Sequence, residues 1–143
     1  MTVATILKAK GRDVVTIRSD ATLLEAARVL TKSGIGCVVV GDRKGVPQGI
    51  LSERDIVHAV ATGGPARLES KVETAMSRPV HTCRESDTID QVMALMTARR
   101  CRHLPVVDED ALIGVVSIGD VVKLKIAEAE METEAMRSYI TTG

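Results

Sequence analysis

An internal repeat runs through this chain. Val14-Val-Thr-Ile-Arg-Ser-Asp-Ala-Thr-Leu23 returns as Val80-His-Thr-Cys-Arg-Glu-Ser-Asp-Thr-Ile89, and Gly49-Ile-Leu-Ser-Glu-Arg-Asp55 returns as Gly114-Val-Val-Ser-Ile-Gly-Asp120. The first pair is offset by 66 positions (88 minus 22) and the second by 65 (114 minus 49), so one residue has been lost between them. Polar residues keep register along with apolar ones. That implies two copies of one module facing each other across a pseudo-twofold axis, with any site at their junction occurring twice.

At 143 residues the chain is one ordinary domain or two small units sharing a core, and each half alone buries too little apolar surface to stand comfortably. With one Tyr and no Trp or Phe, packing must rest on Val, Ile, Leu, Met and Ala, and stacking platforms for single-stranded nucleic acid are missing. Lys plus Arg and Asp plus Glu both number 19, which argues against nucleic acid as a partner. The first ten residues lack the apolar core of a signal peptide, and no apolar run approaches the ~20 residues that span a bilayer. The expectation is a soluble cytoplasmic protein without membrane contact. Cys37, Cys83 and Cys101 sit at unrelated spacings and read as buried reduced thiols.

Each repeat opens with a short strand, over residues 14–18 and 80–84. Thr22-Leu-Leu-Glu25 and Thr88-Ile-Asp-Gln91 then fit the capping box that starts a helix. Helical spacing follows in Leu23, Ala26, Ala27 and Leu30, and again in Ile89, Val92, Met93 and Met96. Residues 37–40 and 104–107 are continuously apolar and β-branched, as a strand covered on both faces would be. Turn residues separate these from strands at 49–51 and 114–116, and a second helix begins at Ser52 or Ser117. Each unit reads β-α-β-β-α, a mixed α/β (α+β) class. Residues 62–65 mark a linker and 66–75 a short helical bridge. After Asp120 the pattern stays helical to about Tyr139, much of it acidic, with Leu124, Met131, Ala135 and Tyr139 along one apolar edge.

Chemistry concentrates in Gly-apolar-apolar-Ser-x-x-Asp at the strand-to-helix turn: Ser52 with Asp55, and Ser117 with Asp120. A helix amino terminus presents unpaired N–H groups, so the Ser hydroxyl and those amides suit a phosphate, while an Asp one turn in accepts ribose hydroxyls. Ser-x-x-Asp is equally a capping box that needs no ligand. The spacing leaves both readings open, and the Gly before the motif, which permits close backbone approach, leans toward a ligand.

Two such motifs, each about 30 residues after a Thr-apolar helix start, together with Arg102-His-Leu-Pro-Val-Val107, resemble a tandem CBS domain pair, named for cystathionine beta-synthase and also called a Bateman module. The resemblance spans residues 1–126, with a first repeat at 1–65, a second at 66–126 and an acidic helical extension at 127–143. It implies a regulatory fold with two clefts that take adenosine-containing ligands (AMP, ADP, ATP, S-adenosylmethionine or NAD-type dinucleotides), and a likeness to modules that pair into homodimers. Carried over residue by residue, the second-motif cleft uses Asp120 for ribose, Ser117 for phosphate, Val115, Ile35, Gly36 and Cys37 around the base, and Arg102 and His103 toward phosphate. The first-motif cleft uses Asp55, Ser52 and Ile50, with Met76, Pro79 and His81 from the second repeat and Arg54 as an added cation.

His81, Cys83, Cys101 and His103 lie on strands that need not converge, so no metal site is expected. No nucleophile has an evident His partner, so no catalytic residue and no enzyme activity are expected. The leading expectation is a stand-alone sensor of an adenosine nucleotide with no obligatory cofactor. The alternative is a structural interaction module with vestigial clefts, whose acidic helix docks on a protein target.

Overall fold

The computed structural model describes residues 1–42 and 44–142, with the side chain of Thr142 left aside. The repeated unit is present twice. In the first, β1 (Thr16–Ile17), α2 (Leu23–Ser33), β2 (Cys37–Val40), β3 (Gly49–Ser52) and α3 (Glu53–Gly63) follow an amino-terminal helix α1 (Val3–Lys10). In the second, α4 (Ile89–Arg99), β4 (His103–Asp108) and β5 (Ala111–Ser117) lead into a long α5 (Ile118–Thr142). The helix starts are chemical: Thr22 accepts from the Glu25 amide and Thr88 from the Gln91 amide, and each third residue returns a bond to the cap backbone.

The first sheet runs β1-β2-β3, with β1 parallel and β3 antiparallel to β2. The second holds only β4 and β5, antiparallel. The strand expected at 80–84 is reduced to one parallel bridge between Cys83 and Val106. Proline is the reason. In the first repeat the Val39 and Gly41 amides donate to the Val15 and Ile17 carbonyls; in the second, Val107 donates to Cys83, but Pro105 stands where Val39 stood and has no N–H to give. The first repeat's strand is likewise shorter than the expected 14–18. The bridge expected as a helix at 66–75 is two 3-10 turns, Pro65–Glu69 and Val72–Thr74.

The two repeats exchange their leading segments. The amides of Val3 and Ile89 bond to the carbonyls of Asp87 and Met1, which pins the chain start to the second repeat. The amides of Leu23 and Val72 bond to the carbonyls of Ser70 and Ala21, which pins the 65–76 segment to the first. Val3, Ile6 and Leu7 are buried in a core with Ile89, Val92, Met96, Leu104 and Val116. Val72 is buried with Leu23, Leu30, Val38 and Leu51, and Met76 packs against that group. Sequence patterning missed α1 altogether. Close approach at the repeated glycines is filled by these segments: a Cβ at Gly49 would lie 2.5 Å from Met76 Sδ, and one at Gly114 would lie 2.6 Å from Leu7 Cδ2. The glycines therefore admit the protein's own side chains, which corrects the lean toward a ligand there.

Leu7→Ala is expected to cost about 2–5 kcal/mol in denaturant unfolding, as for any fully buried leucine. A loss below ~1 kcal/mol would show that α1 is not docked on the second repeat.

Candidate functional site

A cavity of about 540 Å3 opens between the repeats. The β3-α3 turn supplies Ile50, Ser52, Arg54 and Asp55, and the stretch entering the second repeat supplies Pro79 and His81. Six of the seven residues expected in the first-motif cleft thus line one space. Met76 does not; it lies over Gly49 in the first core. Gly36, Arg102 and His103, placed by the sequence reading in the second-motif cleft, line this same cavity. They reach it because the α2-β2 turn and the α4-β4 turn meet at the junction. Arg78, Arg99 and Arg100 also line it and were not anticipated, although Arg99-Arg100-Cys101-Arg102 is a visible cationic run.

At the first motif the Ser52 amide donates to Asp55 Oδ2 at 2.8 Å, the Ser52 hydroxyl donates to the same oxygen at 3.0 Å, and the Asp55 amide donates to Ser52 Oγ at 3.3 Å. This is the capping box in full. Asp55 Oδ1 makes no hydrogen bond among the described residues, so one carboxylate oxygen is left for a ligand. Asp55 is in no ion pair among the described residues.

The second motif differs. The Ser117 amide donates to Asp120 Oδ2 at 2.9 Å and the Asp120 amide to Ser117 Oγ at 3.1 Å, but Lys10 Nζ reaches the same Oδ2 at 2.7 Å and donates to the Val115 carbonyl at 3.0 Å. In the first repeat the carbonyl equivalent to Val115 is Ile50, and it accepts from the Ser77 amide at 2.8 Å. A lysine side chain from α1 thus stands where the other half uses backbone. Partial burial pushes the Asp120 carboxyl up, and the hydrogen bonds from Lys10 and Ser117 outweigh it, holding the group below its ordinary 3.8.

Ile35 packs against the first core. Cys37 is buried on β2 opposite Ser52, and burial pushes its thiol up to about 11. Cys83, also buried, is pushed up to about 12 by the same cause, while Cys101 is half-buried. His103 is half-buried, and desolvation together with Lys10 and Arg102 lowers its pKa against the pull of Asp120, so it is neutral at pH 7. Among the described residues no three of His, Cys, Asp and Glu converge as metal ligands, and no helix is long and apolar enough to cross a membrane.

The CBS domain family model matches residues 8–62 and 72–127. The crystal structure of the CBS-domain containing protein ATU1752 from Agrobacterium tumefaciens is 48% identical with a TM-score of 0.81, covering 87% of this chain and 92% of that one. The CBS domain pair of protein MJ0100, solved in complex with 5-methylthioadenosine and S-adenosyl-L-methionine, is 28% identical with a TM-score of 0.78, covering 90% and 98%. The CBS domain-containing protein CBSX3, mitochondrial, of Arabidopsis thaliana is 30% identical, covering 99% of this chain and 73% of the relative. With two family matches laid over two structural repeats, this chain belongs to the CBS domain family and is a tandem CBS domain pair.

Proposed function

We propose that this protein is a regulatory module that binds an adenosine-containing nucleotide in the first-motif cleft. The carrying observation is the cavity at the repeat junction, whose volume of about 540 Å3 falls within the ~300–1,000 Å3 range of small-molecule sites. In this reading Asp55 Oδ1 takes the ribose hydroxyls, and Ser52, its hydroxyl turned from Asp55 Oδ2, meets phosphate at the positive end of α3. Ile50 and Pro79 flank the base, and Arg54, His81, Arg102 and His103 add donors. The adenosine ligands of MJ0100 support the choice of nucleoside. The working units are residues 1–65 and 66–126, with 127–143 as an extension, and the module acts as a cytoplasmic homodimer without an obligatory cofactor.

The second-motif cleft takes the smaller part, because Lys10 already holds Asp120 and the Val115 carbonyl. Ligand there competes with an ion pair whose members are 41% and 24% exposed. Such a pair is worth at most about 1 kcal/mol, enough to make this the weaker cleft and not enough to close it.

A second reading rests on α5, where Met131, Met136, Tyr139 and Ile140 are all exposed. There the clefts are vestigial and the end of α5 docks on a protein target. Deleting residues 128–143 separates the two: lost partner capture with intact nucleotide affinity favours docking.

Thermal unfolding with AMP, ADP, ATP, NAD and S-adenosylmethionine tests the main reading. A ligand at ~100 times its Kd stabilises by about 2.7 kcal/mol, a rise of roughly 5–10 °C at this size. Asp55→Ala is expected to abolish the rise while costing about 1 kcal/mol of helix capping; an undiminished rise in that variant contradicts the site. For the other cleft, Lys10→Met is expected to lower stability at neutral pH. Because the Asp120 pKa is depressed on folding, the ion pair contributes fully above its ordinary 3.8 and is lost as pH falls through the lower folded value. The gap between wild type and Lys10→Met in urea midpoints should therefore close in acid. A gap independent of pH would assign the effect to packing.

A further inference from the structure

The cavity is lined by Arg54, Arg78, Arg99, Arg100 and Arg102, against only Glu53 and Asp55 as carboxylates. None of the five guanidinium groups is in an ion pair among the described residues. A 540 Å3 space is about 10 Å across if round, comparable to the ~8 Å screening length of physiological salt, so the charges act together on whatever enters.

One of them is held at a conformational cost. Arg100 caps α4 in the left-handed region, with φ 53° and ψ 39°. The position 66 residues earlier is Gly34, which caps α2 with φ 63° and ψ 37°. The two helix ends share one backbone geometry, yet the second repeat carries a side chain for which that geometry is unfavourable. Glycine is the low-strain choice at this place, and the chain itself uses it in the other copy. Glu109 and Asp110 share the left-handed region in the turn between β4 and β5, away from the cavity; Arg100 alone of the three sets a guanidinium in the cavity wall, where the strain is offset if that group meets a ligand.

We infer that the first-motif cleft is specific for a nucleotide with two or more phosphates, and that Arg100 is the residue that reads the added charge. This rests on the proposed adenosine site and deepens it. Guanidinium groups match phosphate oxygens in paired hydrogen bonds, and several unpaired ones around one cavity favour each further negative charge. A sulfonium ligand such as S-adenosylmethionine brings a cation into the same space and is disfavoured.

Calorimetric titration of the full chain with adenosine, AMP, ADP, ATP, S-adenosylmethionine and inorganic tripolyphosphate tests the inference. Affinity is expected to rise with phosphate number, to weaken with salt, and to be lowest for S-adenosylmethionine. Arg100→Gly is expected to lose about tenfold or more in ATP affinity, the worth of a charge-assisted hydrogen bond, with adenosine affinity unchanged. Its unfolding midpoint without ligand should be equal or higher, since it restores the residue of the first repeat. Arg100→Asn, which tolerates the same backbone, should behave alike, and Arg100→Lys, which keeps the charge but not the paired hydrogen bonds, should fall between wild type and Arg100→Gly. Equal affinities for adenosine, AMP and ATP, or tightest binding of S-adenosylmethionine, overturn the inference and leave the adenosine site standing. Binding of tripolyphosphate but not adenosine retains the charge reading and overturns the nucleoside. An Arg100→Gly protein with a lower midpoint and unchanged ATP affinity makes Arg100 structural and overturns its assignment. No binding by any of the six overturns both.

Discussion

The exchange of leading segments holds this architecture together. Each repeat presents a small sheet with two helices and lacks a lid for its core, and the lid comes from the start of the other copy. Val3, Ile6 and Leu7 close the second core; Val72, with Met76 packed beside it, closes the first. Each fully buried aliphatic side chain contributes about 1.5–3 kcal/mol, so separating the repeats removes several kcal/mol of burial from the two cores together. The glycines at 49 and 114 exist for this contact, since a Cβ at either would strike the incoming segment. The same exchange draws residues 77–81 across the junction and forms one wall of the cavity.

Pseudo-symmetry in the fold does not carry into the chemistry. One lid is made of 3-10 turns that end in a backbone bridge from Ser77 to Ile50. The other is a helix whose last residue, Lys10, makes the equivalent bond with its ammonium and binds Asp120 at the same time. One Ser-x-x-Asp turn has a carboxylate in no ion pair among the described residues, and its twin is neutralised from within by Lys10. The α4-β4 turn brings Arg99, Arg100 and Arg102 to the wall of the first-motif cavity, so cationic side chains gather on the side of the Asp that is in no ion pair among the described residues.

Much of this was legible in the sequence because it is local. The capping boxes at Thr22 and Thr88 and the hairpins at 37–52 and 103–117 follow from residues within a few positions of one another. The membership of Ile50, Ser52, Asp55, Pro79 and His81 in one cavity followed from the family resemblance. What escaped depends on distant partners. Residues 3–10 carry a weak helical pattern, and their role is set by a core built from residues 83–121. The loss of the second opening strand turns on Pro105, whose missing N–H matters only to a neighbour in space. The division of Arg102 and His103 between clefts depends on how the two units rotate, and spacing does not encode that.

The most direct test is a crystal structure of the chain grown with ATP. The nucleotide is expected between the repeats, with its ribose on Asp55, its phosphates among Arg99, Arg100 and Arg102, and Lys10 still on Asp120. A nucleotide seated on Asp120 with Lys10 displaced and the first-motif cleft empty would contradict that placement.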